Sequence, residues 1–567
     1  MISISGIDWE ELKLDNRIIE KVKIENNFSE ILSKFIISNN FDQTEVYSIN
    51  NKVEFTNPFL ENNDFKKSQI ILEKALKSRG KISIIGDYDV DGCVATSLFI
   101  QFLKKFNKPY TYYIPNRFKD GYGASLSVVK KIIKEKPELV IMLDCGSNSI
   151  EAVNHLNKKN IKTLIIDHHE IYKPYPKSSS LINPKKICNY NHLNYLCSSA
   201  LTYFLIDSYI KKKSIKFNFK KNLIYVLLAT ICDVMPLRKL NRYLCSYILA
   251  SNSLKDNVIF KKIFFLKKIN RPITLNDFGF LFGPILNSAG RIDDANIVVE
   301  LLINQNDERL HKILSKLIYF NEKRKTIENN IIKDLKFDEL SANHKEIIFE
   351  YKTILSEGLI GIIASRAKEY YNKPSVILTR SKNMFKASAR STADFNIGKY
   401  IKNAVDKNIL VSGGGHNLAA GFSIKKDKIL KFKNFINSIY SKKINLNVKK
   451  YISKISIDAI NYEFFNELNK LGPFGPNINK PLFLIENVKI IKPKILKEKY
   501  VSFFIKSRST KLVKAISFSH MGSKLNSYLL NNKKQINLIV EINENFWNNK
   551  KNLQITVIDA IEISNKA

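Results

Sequence analysis

The strongest constraint in this sequence is a regular alternation of apolar and two-faced segments between residues 81 and 166. Four short apolar runs, KISIIG (81–86), YTYYIP (110–115), ELVIML (138–143) and IKTLII (161–166), have the length and composition of interior strands. Between them, the stretches 93–106, 124–134 and 149–159 place apolar residues at helical spacing. Strands and helices alternating at this interval predict a parallel sheet built through right-handed crossovers. Such sheets bind ligands beyond the carboxyl ends of their strands, so those ends are where function is expected.

The strand ends are acidic. The first run leads into GDYDVDG, which places Asp87, Asp89 and Asp91 on one loop; the third ends in MLDCGS, adding Asp144. The fourth ends in IIDHHE, adding Asp167, His168 and His169, and LLATICDVMPL delivers Asp233 after an apolar helix. A single acid at a strand end is an ordinary helix cap. Four segments that each contribute acid, with a histidine pair, exceed what capping explains, because carboxylates packed this closely repel one another unless cations lie between them. The opening D-x-D-x-D-G also begins an EF-hand calcium loop. That reading fails because the twelfth position from Asp87 is Leu98 where a Glu is needed, and a strand precedes the loop instead of a helix. An oxygen-rich set with imidazole suits manganese or magnesium better than zinc. Asp167 either orients a ligand histidine or caps its turn.

The remainder of the chain divides by pattern. Helical segments run through 200–232 and 301–335, the second ending in a polar stretch whose periodicity suits a helix connecting domains. A second α/β pattern follows, with EIIFEY (346–351), a helical stretch 358–371 and SVILT (375–379). The glycine run in SGGGH (412–416) would let backbone approach a ligand closely. After residue 451, runs such as YVSFFIKS, INLIVEIN and LQITVIDAIEI predict a small all-β barrel. The 567 residues are too many for one core and predict three or four domains.

Composition narrows the class of partner. With 44% hydrophobic and 25% charged residues the chain is an ordinary globular protein, which excludes wholesale disorder. Its net charge of +38 favours an anionic polymer, although 78 of the 91 basic residues are lysines in a chain also rich in Asn and Ile, a bias that needs no functional cause. No apolar run approaches the roughly 18 residues of a spanning helix, and the N-terminus does not read as a secretory signal. Six cysteines (Cys93, Cys145, Cys188, Cys197, Cys232, Cys245) with no C-x-x-C pair read as small hydrophobes in a reducing cytoplasm.

In order and spacing, GDYDVDG, DCGS, DHH and CDVMPL resemble the four motifs of the DHH phosphoesterase superfamily. IPNRFKDGYGAS (114–125), GPILNSAGRIDDA (283–295), GLIGIIASR (358–366), SARS (388–391), SGGGHNLAAGFS (412–423) and LNKLGPFGPNINKPLF (468–483) resemble, within it, the RecJ family of single-strand-specific 5′ to 3′ DNA exonucleases. The resemblance implies an α/β architecture: an N-terminal segment (1–65), a DHH domain with a parallel sheet (66–297), a connecting helix (298–340), a DHHA1 domain (341–445) and a C-terminal OB-fold barrel (446–567). It implies that Asp89, Asp91, Asp144, His168 and Asp233 hold two divalent ions, Mn²⁺ or in its place Mg²⁺, with Asp144 as the bridging carboxylate. Asp87 and His169 would be close supports or contacts to the scissile phosphate. A pocket for the 5′-terminal phosphate would draw on Arg117, Arg291, Ser388 and Arg390, where the planar guanidinium is better suited than a flexible Lys, with Gly414, Gly415 and His416 against the DNA.

The implied activity is degradation of single-stranded DNA from its 5′ end to 5′-mononucleotides, in DNA repair and recombination. A cytoplasmic monomer is expected, working with a single-strand-binding protein and a RecQ-type helicase and without a membrane. Ser356 departs from the family, which commonly has His there. Two rival readings stand beside this one: a phosphodiesterase for short oligoribonucleotides or cyclic dinucleotides, expected to lack the barrel and the long helix, and a non-catalytic DNA-binding scaffold, expected to lack an intact acid and histidine set.

Overall fold

The alternating segments form the predicted sheet. β1 (Lys81–Ile85), β2 (Tyr110–Tyr113), β3 (Pro137–Leu143), β4 (Lys162–Ile166) and a further short strand, β5 (Ser180–Ile182), pair in the order β2-β1-β3-β4-β5, all parallel. The interior positions Ile82, Ile84, Val140, Ile141, Leu164 and Ile165 are fully buried, as a sheet covered on both faces requires. In this order the winding of the strands reverses between β1 and β3, and the crevice at such a switch point is where these sheets bind ligands. The computed structural model describes all residues except 118, 187, 335–345, 353–356, 382, 393, 442–447, 508–510, 520–521, 548–549 and 564–567.

The chain forms two compact units, and this sheet belongs to the one made of 54–235 and 244–443. Helix α1 (Val90–Lys105) follows β1, and α2 (Leu126–Ile133) and α3 (Ile150–Asn157) follow the next two strands. The predicted helical stretch 200–232 is two helices, α4 (Ser198–Lys212) and α5 (Leu223–Cys232), parted where Ser214 turns left-handed (φ 51°). Beyond them lie α6 (Gly283–Ile292) and the long α7 (Asp307–Asp334).

A second sheet combines β6 (Ile348–Lys352), β7 (Ser375–Ser381), β8 (Met384–Arg390), β9 (Ser412–Gly415) and β10 (Ala419–Ile424) in the order β9-β10-β8-β7-β6; only β6 and β7 are parallel. Helix α8 (Ile360–Tyr371) buries Ile360, Ile363, Ala364 and Ala367 with Ile377 of β7, and Ile327 and Ile331 of α7 pack against the same cluster. The other face holds α9 (Ile397–Asp406), whose Ile401 joins Val376, Leu378, Ala387 and Phe422.

The second unit comprises 1–53, 236–243 and 444–567. Six strands run in the order 453–454, 483–496, 500–506, 512–517, 550–562, 536–547, and the strand Phe483–Leu496 pairs again with Ile536–Trp547, which closes the predicted barrel. The N-terminal residues, silent in sequence, complete this unit. Strand Asp8–Glu11 pairs with Val448–Tyr451, and buried Trp9 donates its indole N–H to Asp559 (3.0 Å), which also accepts from Ser3 Oγ (2.7 Å). Glu45 is fully buried and takes two 2.6 Å bonds from the Arg238 guanidinium. No described helix is long and apolar enough to cross a membrane.

Gly92 is where close packing most limits the sequence. A Cβ there would lie 2.5 Å from both the N and the O of Asp87, backbone atoms that cannot move aside. Gly92→Ala is expected to cost about 1–3 kcal/mol, the usual penalty for overpacking. Gly421→Ala, whose nearest neighbour would be Ala387 O at 3.7 Å, serves as the control and is expected to stay within about 0.5 kcal/mol in urea unfolding. Equal losses at the two positions would contradict this packing account.

Candidate metal centre

Each acid is held at the carboxyl edge of the first sheet by its own local structure. Asp89 caps α1, its Oδ1 accepting from Gly92 N (3.0 Å). One turn later, buried Asp91 accepts from Ser198 N and Ser199 N, both at 2.8 Å, so its carboxylate also satisfies free N–H groups at the start of α4. Asp144 leaves β3 in a left-handed conformation (φ 61°) while its N–H still bonds Ile166 O (2.9 Å). Asp233 ends α5 and is followed by Val234 at φ 56°, a conformation a β-branched residue adopts only under constraint. Backbone strain of this kind costs about 1–3 kcal/mol per residue and gathers at functional sites.

These elements bring the sequence-predicted residues together. Asp144, His168 and His169 form one group whose ligand atoms lie within 4.8 Å of one another; Asp91, His168 and Asp233 form a second, and Asp87, Asp89 and Asp144 a third. His168 Nε2 stands 3.2 Å from Asp233 Oδ2, 3.4 Å from Asp144 Oδ1 and 3.9 Å from Asp91 Oδ2. These atoms converge without bonding: Asp87 Oδ1, both oxygens of Asp144 and both ring nitrogens of His168 are buried with no hydrogen-bond partner among the described residues. Orphaned acceptors of this number are costly in a closed protein. Because the donors are carboxylate oxygens and imidazole nitrogens, the set fits a hard divalent cation such as Mn²⁺ or Mg²⁺.

The electrostatics agree. Burial, then the charge of neighbouring acids, raises Asp87, Asp91, Asp144 and Asp233 above the usual carboxylate range. Burial also drives His168 well below its ordinary value, leaving it neutral as a ligand must be. Asp167 differs. Despite burial it stays ionised, because it accepts from Ser147 N (2.9 Å), His168 N (2.8 Å), His169 N (3.1 Å) and His169 Nδ1 (2.8 Å). Burial opposes a charge on His169, but the pairing with Asp167 outweighs it and raises the imidazole to about 10. Asp167 therefore orients His169 and caps its turn at once. Sequence reasoning missed Tyr122, whose hydroxyl lies 3.2 and 3.3 Å from the two His169 ring nitrogens, although it sits in the quoted GYGAS.

The predicted arginines also gather. Arg117 stacks on Tyr88, its Cζ 5.1 Å from the ring centre, and Tyr88 lies between Asp87 and Asp89 in the chain. Arg390 donates to Ser388 Oγ (2.9 Å). Burial lowers Arg291 to about 10, and the guanidiniums of Arg117, Arg324 and Arg390 add to the shift. None of Arg117, Arg291 and Arg390 forms an ion pair with a carboxylate among the described residues, which leaves a basic pocket suited to an anion. In the glycine run, Gly413 and Gly415 are demanded by packing: a Cβ at Gly413 would meet Ile401 and Phe422 at 2.8 Å, and one at Gly415 would collide with the backbone of Ala419 and Ala420, whereas Gly414 faces open space. His416 Nδ1 lies 3.4 Å from Glu170, next in sequence to the histidine pair. Ser356 lies outside the described residues.

Comparison with known proteins finds matching families for three parts of the chain. Residues 81–231 match the DHH family, N-terminal domain, residues 344–442 the DHHA1 domain and residues 453–559 the RecJ OB domain. The chain is similar to the single-stranded-DNA-specific exonuclease RecJ of Bacillus subtilis, at 24% identity over 98% of this chain and 71% of that protein. To the protein of the same name from Haemophilus influenzae it is 28% identical, over 73% of this chain and 76% of the other. Its fold is that of the crystal structure of RecJ in complex with Mn²⁺ from Thermus thermophilus, with a TM-score of 0.81, 19% identity and coverage of 98% of this chain and 80% of that one.

Carboxylates raised above their unfolded values stabilise the metal-free protein at low pH, and that contribution fades as pH climbs from about 4, the ordinary carboxylate value. A cation must displace their protons, so it binds more tightly as pH rises. The increase in Tm on adding Mn²⁺ to chelator-stripped protein is therefore expected to be larger at pH 8 than at pH 5. A pH-independent increase would contradict the assignment. Asp167→Asn, which loses the charge that holds His169, is expected to weaken activity about 10- to 100-fold.

Proposed function

We propose, from the premise that this chain belongs to the RecJ family of DHH proteins, that it is a metal-dependent exonuclease that removes 5′-mononucleotides from single-stranded DNA. The observation that carries this reading is the junction of two opposite charge clusters at one loop. GDYDVDG supplies Asp87, Asp89 and Asp91 to the acidic centre, while Tyr88 from the same loop stacks on Arg117 of the basic pocket. A strand whose terminal phosphate occupies the pocket has its first phosphodiester near the acids, so cleavage at each step frees one nucleotide.

Asp89, Asp91, Asp144, His168 and Asp233 would hold two divalent ions, and Asp144 belongs to two of the candidate ligand groups. When bound, such ions supply Lewis acidity at the phosphate and lower the pKa of water, so no side-chain nucleophile is needed. Ser198 and Ser199 fix Asp91 through their backbone N–H groups. Asp167 keeps a proton on His169, which can then donate to a phosphate oxygen, with Asp87 as a close support. Arg117, Arg291, Ser388 and Arg390 bind the 5′-phosphate, and Gly414, Gly415 and His416 line the DNA. The barrel offers a sequence-tolerant grip on single strands. We assign the protein to the cytoplasm as a monomer, with a single-strand-binding protein and a RecQ-type helicase as partners.

Hydrolysis of end-labelled oligonucleotides with Mn²⁺ tests this. A 5′ label is expected to leave first, as mononucleotide, from single strands and not from blunt duplexes, and His168→Ala is expected to abolish its release. Earlier release of a 3′ label would contradict the polarity, and equal attack on duplex would contradict the strand specificity.

A further inference from the structure

Helix α7 turns a buried polar face inward that neither the metal centre nor the pocket explains. Asn321 is 3% exposed and Glu328 4%, with Arg324 between them at helical spacing. Arg324 Nη1 lies 3.2 Å from Glu328 Oε2, while Glu328 Oε1 accepts a 2.8 Å bond from Nε of Arg366 on α8. One buried carboxylate thus serves two guanidiniums from two helices. Arg324 Nε and Asn321 Oδ1 have no hydrogen-bond partner among the described residues, so this face is shaped by something other than local satisfaction. Arg366 closes the GLIGIIASR segment, a motif to which the active-site chemistry gives no task.

Both helices pass beside residues of the pocket. On one side, α6 packs against α7, with Ser288 Oγ donating to Leu317 O (3.2 Å); one turn beyond Ser288 is Arg291, and two turns beyond Leu317 is Arg324. On the other side, the first turn of α8 supports Ser388 and Arg390: a Cβ at Gly361 would lie 3.1 Å from the Arg390 guanidinium and 3.3 Å from Ser388 Oγ. Arginines drawn together from separate elements repel, and only a fixed counter-charge holds their spacing.

We propose that Glu328 is a positioning residue for the terminal-phosphate pocket: by gripping Arg324 and Arg366 together it sets the spacing between Arg291 and Arg390. The ligand concerned is a phosphate monoester at a strand end, and the inference rests on the reading of Arg117, Arg291, Ser388 and Arg390 as its pocket. Glu328→Gln preserves the shape and removes the charge.

The test compares 5′-phosphorylated with 5′-hydroxyl oligonucleotides on the Mn²⁺-loaded full chain. Glu328→Gln is expected to raise KM for the phosphorylated strand about tenfold while kcat, and KM for the hydroxyl strand, stay within about twofold. Arg366→Gln, at a half-exposed side chain, is expected to do the same and replaces it if Glu328→Gln does not fold. In an Arg390→Ala background, adding Glu328→Gln should change the ratio no further. If the wild-type protein shows no 5′-phosphate preference, or Arg390→Ala retains it, the pocket reading fails and this inference with it. If Arg390→Ala loses the preference while both Glu328→Gln and Arg366→Gln keep it, the pocket stands and the positioning role is overturned. Equal loss on both strands, the mark of a merely structural residue, overturns it too.

Discussion

Mutual repulsion among buried carboxylates is the constraint on which the catalytic half of this structure turns. Asp87, Asp91, Asp144 and Asp233 are each pushed toward their protonated forms by burial and by the charge of neighbouring acids, Asp89 among them in every case. A fold does not gather such groups for stability, because apolar residues of similar size would serve better. The parallel sheet makes the gathering possible: its order places β1 beside β3 and β3 beside β4, so three acidic strand ends open onto one crevice. The left-handed turns at Asp144 and Val234 are the local strain that this convergence exacts.

Around the acids, the protein separates charges that must stay ionised from charges that must be exchanged. Asp167 is kept anionic by three backbone N–H groups and one imidazole, and so anchors His169. Arg117, Arg291 and Arg390 lack carboxylate partners among the described residues, whereas Arg324 and Arg366, farther back, are paired with Glu328. A polyanion can therefore neutralise one cluster while cations neutralise the other. On the proposed reading, the +38 net charge contributes at most a diffuse attraction and the specific part lies with a few of the 13 arginines.

Much of the site was legible in sequence because its signals are local. An apolar run followed by Asp announces a strand end, and three such runs announce a shared edge. The closed barrel was readable for a similar reason, as short β-rich runs such as 500–507 and 536–543 carry their own pattern. What was not legible depends on pairs far apart in the chain. Asp91 is held by Ser198 and Ser199, more than 100 residues away (107 to Ser198), and Glu45 by Arg238 across 193. No periodicity near residue 45 could show that the N-terminal residues complete the barrel unit. Tyr122 reads as one more aromatic in a loop until the fold sets it over His169, and Arg324 as one more charge on a polar helix until it stands beside Arg291. In the glycine run the sequence pattern suggested close approach of a ligand; that Gly413 and Gly415 are also required by packing against Ile401, Phe422 and the backbone of Ala419 and Ala420 shows only in the fold.

Counting ions and protons together tests the central claim most directly. Calorimetric titration of metal-free protein with Mn²⁺ near neutral pH, repeated in buffers of different ionisation enthalpy, gives both numbers. If the buried acids are held for cations, two ions bind per chain, protons are released as they do, and His168→Ala weakens the binding. No binding, or binding without proton release, would contradict the account.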